Sequence, residues 1–278
     1  MIFLNWNYSY FEYKKEIIIY HLNSIHTVDT IMPSLSNLRV HIAPVGYEID
    51  RIVIPAKEQK ADKVWLLVHD KPGEDKALSY IDKITKLLKK EKIKVVKEYH
   101  NRLDLFQIIK SVKKIIEEEK ENTIYVNLAS GSKIQAIAGM MACMMFNEKQ
   151  NLIPFYAEAK EYPGFEGKQM SYGIKSVTQV PIYEIKVPDE KHLQALKIIK
   201  ENGGKLTKKL MAELAEEQGI IQINADKDNY NQVRFASLDK NIIQPLLERW
   251  KFIEVEKIGR TRWIKINENG KNAVEFLI

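Results

Sequence analysis

From Leu38 onward, short apolar runs alternate with longer segments in which apolar residues recur every three or four positions. The short runs predict buried strands and the longer segments predict amphipathic helices. Strands joined by helices need crossover connections, which build a parallel sheet with helices on both faces. The pattern therefore predicts an α/β fold, a Rossmann-like doubly wound domain. Its predicted strands lie at 38–43, 63–68, 93–96, 123–128 and 152–156, and further strand-like runs at 171–177 and 181–186 are expected to extend the sheet or form a hairpin.

A second pattern begins after Pro188 and predicts a mainly α domain. A helix from His192 is stopped by an Asn-Gly-Gly turn, and Thr207 is suited to cap a second helix that ends near Gln218. A third helix is predicted over about 230–250, where Pro245 is expected to kink or divide it. Two strands around a glycine turn follow, at 252–257 and 261–266. This order is typical of a winged helix-turn-helix, so the predicted domains are 1–37, 38–187 and 188–278.

Residues 1–37 fit neither pattern. The first 31 are rich in aromatic residues and lack the basic start and apolar centre of a signal peptide, and Met32 begins a more ordinary stretch. Two interpretations stay open: an upstream extension that precedes the true start, or an N-terminal hairpin that packs on the first domain.

Composition narrows the function classes. One cysteine, Cys143, excludes an intramolecular disulfide framework, and the six scattered histidines lack the spacing of metal ligands, so no metal or cofactor is expected. No apolar run is long enough for a membrane span, and a cytoplasmic protein is expected. The net charge of +6 and the isoelectric point near 9.0 permit nucleic-acid binding without requiring it.

Two loops of the first domain are candidates for binding. One follows the first strand and runs from Ala43 to Glu48; the other follows the fourth strand, runs from Asn127 to Lys133 and opens a helix. A glycine beside a helix N-terminus lets backbone N–H groups approach an anion, and serine and lysine add donors. An ordinary strand-to-helix turn with capping serines accounts for the second loop equally well.

The same two loops resemble those of CARF domains, the CRISPR-associated Rossmann fold. The opening His41-Ile42-Ala43-Pro44-Val45-Gly46-Tyr47-Glu48 is similar to that of CARF regulators whose C-terminal domain is a winged helix. Asn127-Leu128-Ala129-Ser130-Gly131-Ser132-Lys133 is similar to the family's second loop, with one extra residue before Ser130 and a serine, Ser132, where glycine is frequent. The resemblance covers about residues 38–278.

The resemblance implies a homodimer that binds a cyclic oligoadenylate, most often cyclic tetra-adenylate, in a pocket shared by the two copies. It places the ligand at Val45, Gly46, Tyr47, Ser130, Gly131, Ser132 and Lys133. Some members also cleave the ring, which here makes Ser130 and Lys133 the candidate catalytic residues. The sequence lacks an Arg followed five residues later by His, the ribonuclease motif of many CARF effectors. The prediction is a non-enzymatic sensor, with a slow ring nuclease and a ligand-independent DNA-binding dimer as alternatives.

The winged helix is predicted to bind double-stranded DNA. Its third helix is the natural recognition helix, and a wing normally contacts phosphate or the minor groove. Residues 192–278 hold 15 Lys and Arg against 12 Asp and Glu, a weak basic bias that leaves a purely structural role open. The predicted DNA-contacting residues are Asn231, Gln232, Arg234, Ser237, Lys240, Arg260 and Arg262.

Overall fold

The computed structural model describes residues 37–163 and 168–278, of which Leu38–Ile278 form one compact unit. The two interpretations of the N-terminal extension concern residues outside the described ones. Within the described residues, no helix is both long and apolar enough to cross a membrane.

The first part of the unit is a six-stranded sheet with the order β3-β2-β1-β4-β5-β6. Neighbouring strands from β3 to β5 are parallel, and β6 pairs with β5 in the antiparallel sense. The strands are β1 (Arg39–Pro44), β2 (Lys63–His69), β3 (Lys94–His100), β4 (Thr123–Asn127), β5 (Leu152–Glu161) and β6 (Tyr172–Gln179). This arrangement confirms the Rossmann-like prediction, including all five strands expected before residue 160.

Four helices connect these strands, each at a segment where the apolar spacing predicts one. They are α1 (Asp50–Glu58), α2 (Leu78–Lys90), α3 (Leu105–Glu118) and α4 (Lys133–Met145). One core cluster joins α1 and α2 to residues such as Val64 and Leu66, and a second joins α3 and α4 to Val40 and Ile42. Because the two clusters use alternate residues of the same strands, the helices cover opposite faces of the sheet.

The prediction of a strand at 181–186 is wrong. Residues 181–189 belong to no strand or helix and pair with no strand among the described residues. Pro181 lacks the N–H that a ladder requires, and the chain then leaves the edge strand β6. Ile182 packs on the core of α3 and α4 instead, and the amide of Ile185 donates to the carbonyl of Met144 at 3.0 Å.

The remainder of the unit is a winged helix with a three-stranded sheet of order β7-β9-β8. Its elements are α5 (Glu190–Glu201), β7 (Lys205–Thr207), α6 (Lys208–Glu217), α7 (Tyr230–Leu238), β8 (Ile253–Ile258), β9 (Thr261–Ile266) and α8 (Glu268–Leu277). The helical backbone continues beyond α7 to Arg249 through two π-helical turns, one of which starts at Pro245. Pro245 therefore does not divide the third helix, since the wider turns accommodate its missing N–H.

The last helix, α8, lies against both halves of the unit. Phe276 stacks on Phe106 of α3, and Lys113 of α3 donates to the carbonyl of Leu277 at 2.6 Å. Val274, on the same helix, joins the core of the winged helix. The apolar pattern of the sequence did not predict α8, although its contacts fix the winged helix against the sheet domain.

Candidate functional site

The two predicted loops meet at the point where the strand order of the sheet reverses. β1 and β4 are parallel neighbours, yet the chain leaves β1 towards β2 and leaves β4 towards β5. The helices that follow lie on opposite faces, which opens a crevice beyond the carboxyl ends of the two strands. The loop at 45–49 and the loop at 128–132 flank that crevice.

Gly46 and Gly131 bring the two loops into direct contact. A Cβ on Gly46 would lie 3.0 Å from the Cα of Gly131 and 3.1 Å from its backbone nitrogen. Gly131 has a φ of +75°, and a Cβ there would lie 2.5 Å from the Cβ of Pro44. Each glycine is therefore required by the close approach, and Gly131 also by its left-handed backbone.

The side chain of Asn127 connects the second loop to α1 through two hydrogen bonds. Its Oδ1 accepts from the amide of Ala129 at 2.8 Å, and its Nδ2 donates to the carbonyl of Arg51 at 2.8 Å. Asn127 is itself buried. This places the start of α1 beside the loop that opens α4.

The two serines of the second loop have different environments. Ser132 caps α4: its Oγ accepts from the amide of Gln135 at 3.3 Å, while its own amide donates to the Gln135 Oε1 at 2.9 Å. This reciprocal pair satisfies two N–H groups at the helix start. Ser130 is only 2% exposed, and its Oγ has no hydrogen-bond partner in the part of the chain that the structure describes. Capping thus accounts for Ser132 but not for Ser130.

Lys133 and Val45 differ in what they can offer a ligand. Lys133 is the first residue of α4 and is exposed, so its ammonium group is available beside the loop. Val45 is buried, and its amide donates to the carbonyl of Leu67 at 3.1 Å. Tyr47 is half-buried and packs edge-on against Tyr80 of α2, with ring centroids 5.4 Å apart. In the first loop, Gly46 is the residue that approaches Gly131.

Glu48 introduces a carboxyl group between the two loops. Its Oε2 occupies the space that a Cβ on Gly46 would need, 2.5 Å away. Burial raises the pKa of Glu48, and the charge of Arg51 and the amide of Gly131 oppose that change. Glu48 is the last residue of the segment His41–Glu48 that resembles the opening of CARF regulators, but that resemblance assigned no role to Glu48.

A buried histidine connects this site to β3, at the edge of the sheet. The Nε2 atoms of His100, at the end of β3, and Gln135 lie 3.2 Å apart, so the amide donates to a neutral ring. Burial lowers the pKa of His100 to about 4, consistent with an uncharged imidazole. Because Gln135 also caps α4, the end of β3 and the start of α4 share one hydrogen-bonded network.

The predicted recognition-helix residues lie on α7 and the turn after it. Asn231, Gln232 and Lys240 are exposed, and Ser237 accepts from the side-chain amide of Asn241 at 3.1 Å. Arg234, by contrast, faces α6.

Arg234 donates to Glu216 at 3.3 Å and to the Oδ1 of Asn231 at 3.0 Å, and its guanidinium lies 4.0 Å from Glu213. A base contact requires Arg234 to leave both carboxylates, so its role in reading DNA stays a prediction.

A basic groove runs between the start of α6, α7 and the wing. The wing is the β8–β9 hairpin, whose turn contains Gly259 with a φ of +61°. The groove has a volume of about 350 Å³ and is lined by Lys208, Lys209, Phe235, Arg260, Thr261 and Arg262. It brings together the two predicted wing arginines. Sequence reasoning missed Lys208 and Lys209, although the Lys-Lys pair after the Thr207 cap is visible there.

Two family models match consecutive parts of the chain. Residues 39–162 match the model HFX_2341_N-like, N-terminal, and residues 191–278 match the DUF6293 C-terminal winged helix domain. A curated relative is an uncharacterized protein of Methanocaldococcus jannaschii, MJ1513, which is 24% identical over 322 residues. That alignment covers 86% of this chain and 96% of the relative.

Solved structures with similar folds include two proteins with bound cyclic nucleotides. Enterococcus italicus Csm6, bound to cyclic hexa-2′-fluoro-hexa-dAMP, has a TM-score of 0.42 and 8% identity over 78% of this chain. Can2 from Sulfobacillus thermosulfidooxidans, in complex with cyclic tetra-adenylate, has a TM-score of 0.37 and 12% identity over 85%. The matched parts amount to 57% and 63% of those chains, so this chain spans less than two thirds of either.

The description of the second family model agrees with the winged-helix topology observed after residue 190. The predicted order of a Rossmann-like domain followed by a C-terminal winged helix is confirmed, whereas the assignment of the first domain to the CARF family stays a prediction. Residues 39–162 are thus similar to an HFX_2341_N-like N-terminal domain, and residues 191–278 are similar to a DUF6293 C-terminal winged helix domain.

Proposed function

We propose that this protein is a dimeric DNA-binding transcriptional regulator whose N-terminal domain senses a cyclic oligoadenylate, with cyclic tetra-adenylate as the ligand to test first. One observation carries the proposal: the buried hydroxyl of Ser130, which has no hydrogen-bond partner among the described residues, lies beside Gly131 and the N-terminus of α4, at the sheet's switch point. Leaving a buried hydroxyl unsatisfied costs about 1–3 kcal/mol, which a ligand phosphate would recover.

The chemistry of the crevice suits a phosphodiester. Ser130 offers a hydroxyl donor, Lys133 offers a mobile positive charge, and the start of α4 offers the positive end of a helix dipole. Gly131 lets the ligand approach the backbone closely. These groups favour an anion with several acceptor oxygens over an apolar ligand.

A dimer follows from the CARF resemblance, which places the two crevices together across a two-fold axis. Large apolar side chains are exposed at Leu103, which follows β3, and at Ile137 on α4. A second copy of the chain is the partner proposed for this region. A ring with repeated, symmetry-related phosphates suits a pocket made from two identical loops.

The winged helix supplies the proposed output. Lysines and arginines line the groove between α6 and the wing, and the exposed face of α7 carries amide side chains. Lysine and arginine suit the DNA backbone, whereas asparagine and glutamine suit adenine in the major groove. Since α8 contacts both domains, a ligand-dependent change in the dimer is expected to alter the spacing of the two winged helices.

Calorimetric titration with cyclic tetra-adenylate tests this proposal. We expect binding by the native chain, and at least tenfold weaker binding by Ser130→Ala and by Lys133→Ala. Lys90→Ala is the matched control, because Lys90 is an exposed lysine at the far end of α2. Product analysis after incubation distinguishes a sensor, which returns the ring intact, from a ring nuclease. Unchanged binding by both site variants would overturn the assignment of the crevice.

A further inference from the structure

A buried guanidinium beside the crevice forms no close ion pair with a carboxylate of the described residues, although its charge reaches Glu48. Arg51 is only 7% exposed, and within residues 37–163 and 168–278 no carboxylate oxygen lies within ion-pair distance of it. Its Nε donates to the carbonyl of Ala157 at 2.9 Å. Its Nη2 donates to the hydroxyl of Tyr156 at 2.8 Å and to that of Tyr162 at 3.0 Å.

Arg51 holds the rings of Tyr156 and Tyr162 in place, but both rings remain partly exposed to solvent. The Arg51 Cζ lies 5.2 Å from the centroid of the Tyr156 ring and 5.6 Å from that of Tyr162. Their exposed fractions are nevertheless 43% and 58%. The hydrogen bonds from Arg51 explain why the two rings are held in place. They do not explain why two aromatic rings are left exposed to solvent.

The strand that carries Tyr156 adjoins the loop that carries Ser130. The amide of Leu128 donates to the carbonyl of Phe155 at 2.9 Å, and Tyr156 is the next residue of that strand. The carbonyl of Arg51 accepts from Asn127, which also positions Ala129. One hydrogen-bonded framework therefore supports both the loop and the aromatic pair.

We propose that Tyr156 and Tyr162 form a stacking platform for the base of a nucleotide whose phosphate lies at Ser130, and that Arg51 is the positioning residue of that platform. The inference rests on the proposed function, because it adds a base site to the same crevice. Aromatic side chains bind bases by stacking, and a neighbouring guanidinium strengthens the contact through cation–π attraction. The ligand class is thus a nucleotide with an accessible base, such as the adenines of a cyclic oligoadenylate.

Substitutions that keep or remove the rings separate stacking from a structural role. We expect Tyr156→Leu and Tyr162→Leu each to weaken binding of cyclic tetra-adenylate by about 5- to 150-fold in calorimetry. Tyr156→Phe and Tyr162→Phe keep the rings but lose the hydrogen bonds from Arg51, so we expect them to bind more weakly than the native chain and more tightly than the matching Leu variants. Tyr99→Leu is the matched control, since Tyr99 is 53% exposed on β3, at the opposite edge of the sheet.

Two results would overturn the platform. If the Phe variants lose as much affinity as the Leu variants and also melt earlier, the tyrosines serve Arg51 and not the base. If the Leu variants bind normally while Ser130→Ala does not, the ligand is held by its phosphates alone and the proposed function survives. Absence of binding by the native chain, in contrast, would remove the proposed function and the platform together.

Discussion

Phe106 of α3 stacks on Phe276 of α8 with ring centroids 5.2 Å apart and an angle of 14° between the rings. This contact joins the sheet domain to the winged helix. The carbonyl of Leu277, next to Phe276, accepts from Lys113 of α3. The last helix of the chain is therefore the element through which we expect the two domains to be mechanically connected.

Removing the Phe276 ring should weaken that connection. We expect Phe276→Ala to lower the free energy of unfolding by about 1–3 kcal/mol, less than for a fully buried ring because Phe276 is half-buried. Urea denaturation measures the change, and Phe276→Leu, which keeps most of the apolar area, should recover part of it. An unchanged unfolding curve for Phe276→Ala would show that the stack contributes nothing to stability.

Gly131→Ala tests the close approach of the two loops. A left-handed backbone costs an L-residue about 1–2 kcal/mol, and the new Cβ would also meet Pro44. Gly203→Ala is the matched control, because Gly203 has a φ of +78° but nothing within 4 Å of an added Cβ. In thermal unfolding we expect Gly131→Ala to lose more stability than the control. Equal losses would mean that the loops can separate at no cost.

Glu48 should give stability a distinctive pH dependence. Its folded-state pKa is raised above the ordinary value of 4.5, so its protonated form stabilises the fold. That contribution is fully present below pH 4.5 and is lost as the pH rises through the raised folded-state pKa. Glu48→Gln removes the buried charge, so we expect the variant to be more stable than the native chain at neutral pH and similar to it in acid.

The measurement is urea denaturation of both proteins from about pH 4 to about pH 8, a range in which buried histidines also contribute. His41 and His100 have pKa values lowered to about 4, so the stability they confer is present above 6.5 and is lost as the pH falls towards 4. This contribution is common to both proteins and cancels in their difference. A pH-independent difference between them would contradict the role assigned to Glu48.

The basic groove predicts a salt dependence for DNA binding. If Lys209 and Arg260 each contact one phosphate, replacing either with alanine should reduce the slope of log affinity against log salt by about 0.9. Lys197→Ala is the matched control, because Lys197 is exposed on α5 and does not line the groove. Equal slopes for all four proteins would place the DNA elsewhere.

Much of the sheet domain could be predicted from the sequence because its central strands β1 and β2 are buried on both faces. Continuous apolar runs such as Val64–Val68 are typical of strands in the middle of a parallel sheet, and the helices between them follow the expected spacing. The run at 181–186 contains Ile182, Tyr183 and Ile185 among polar residues and also resembles a strand, but it follows an edge strand. Its residue Ile182 packs on helices, which local sequence does not reveal.

The candidate site was only partly predictable. Both loops were found, since glycines at strand ends are typical of close backbone approach, but the contrast between Ser130 and Ser132 depends on the side chain of Gln135. The link from Gln135 to His100 joins residues 35 positions apart. Such contacts are set by the strand order, which places β3 and β4 on either side of β1 and β2.

The central claim is that a nucleotide bound in the crevice controls DNA binding by the winged helix. To test it, the native chain first selects a DNA sequence from a random pool. Its affinity for that DNA is then measured with and without saturating cyclic tetra-adenylate. We predict a ligand-dependent change of at least about fivefold, the lower end of typical allosteric coupling, and no change in Ser130→Ala. Equal affinity of the native chain with and without the ligand would show that the crevice does not regulate the winged helix through this nucleotide.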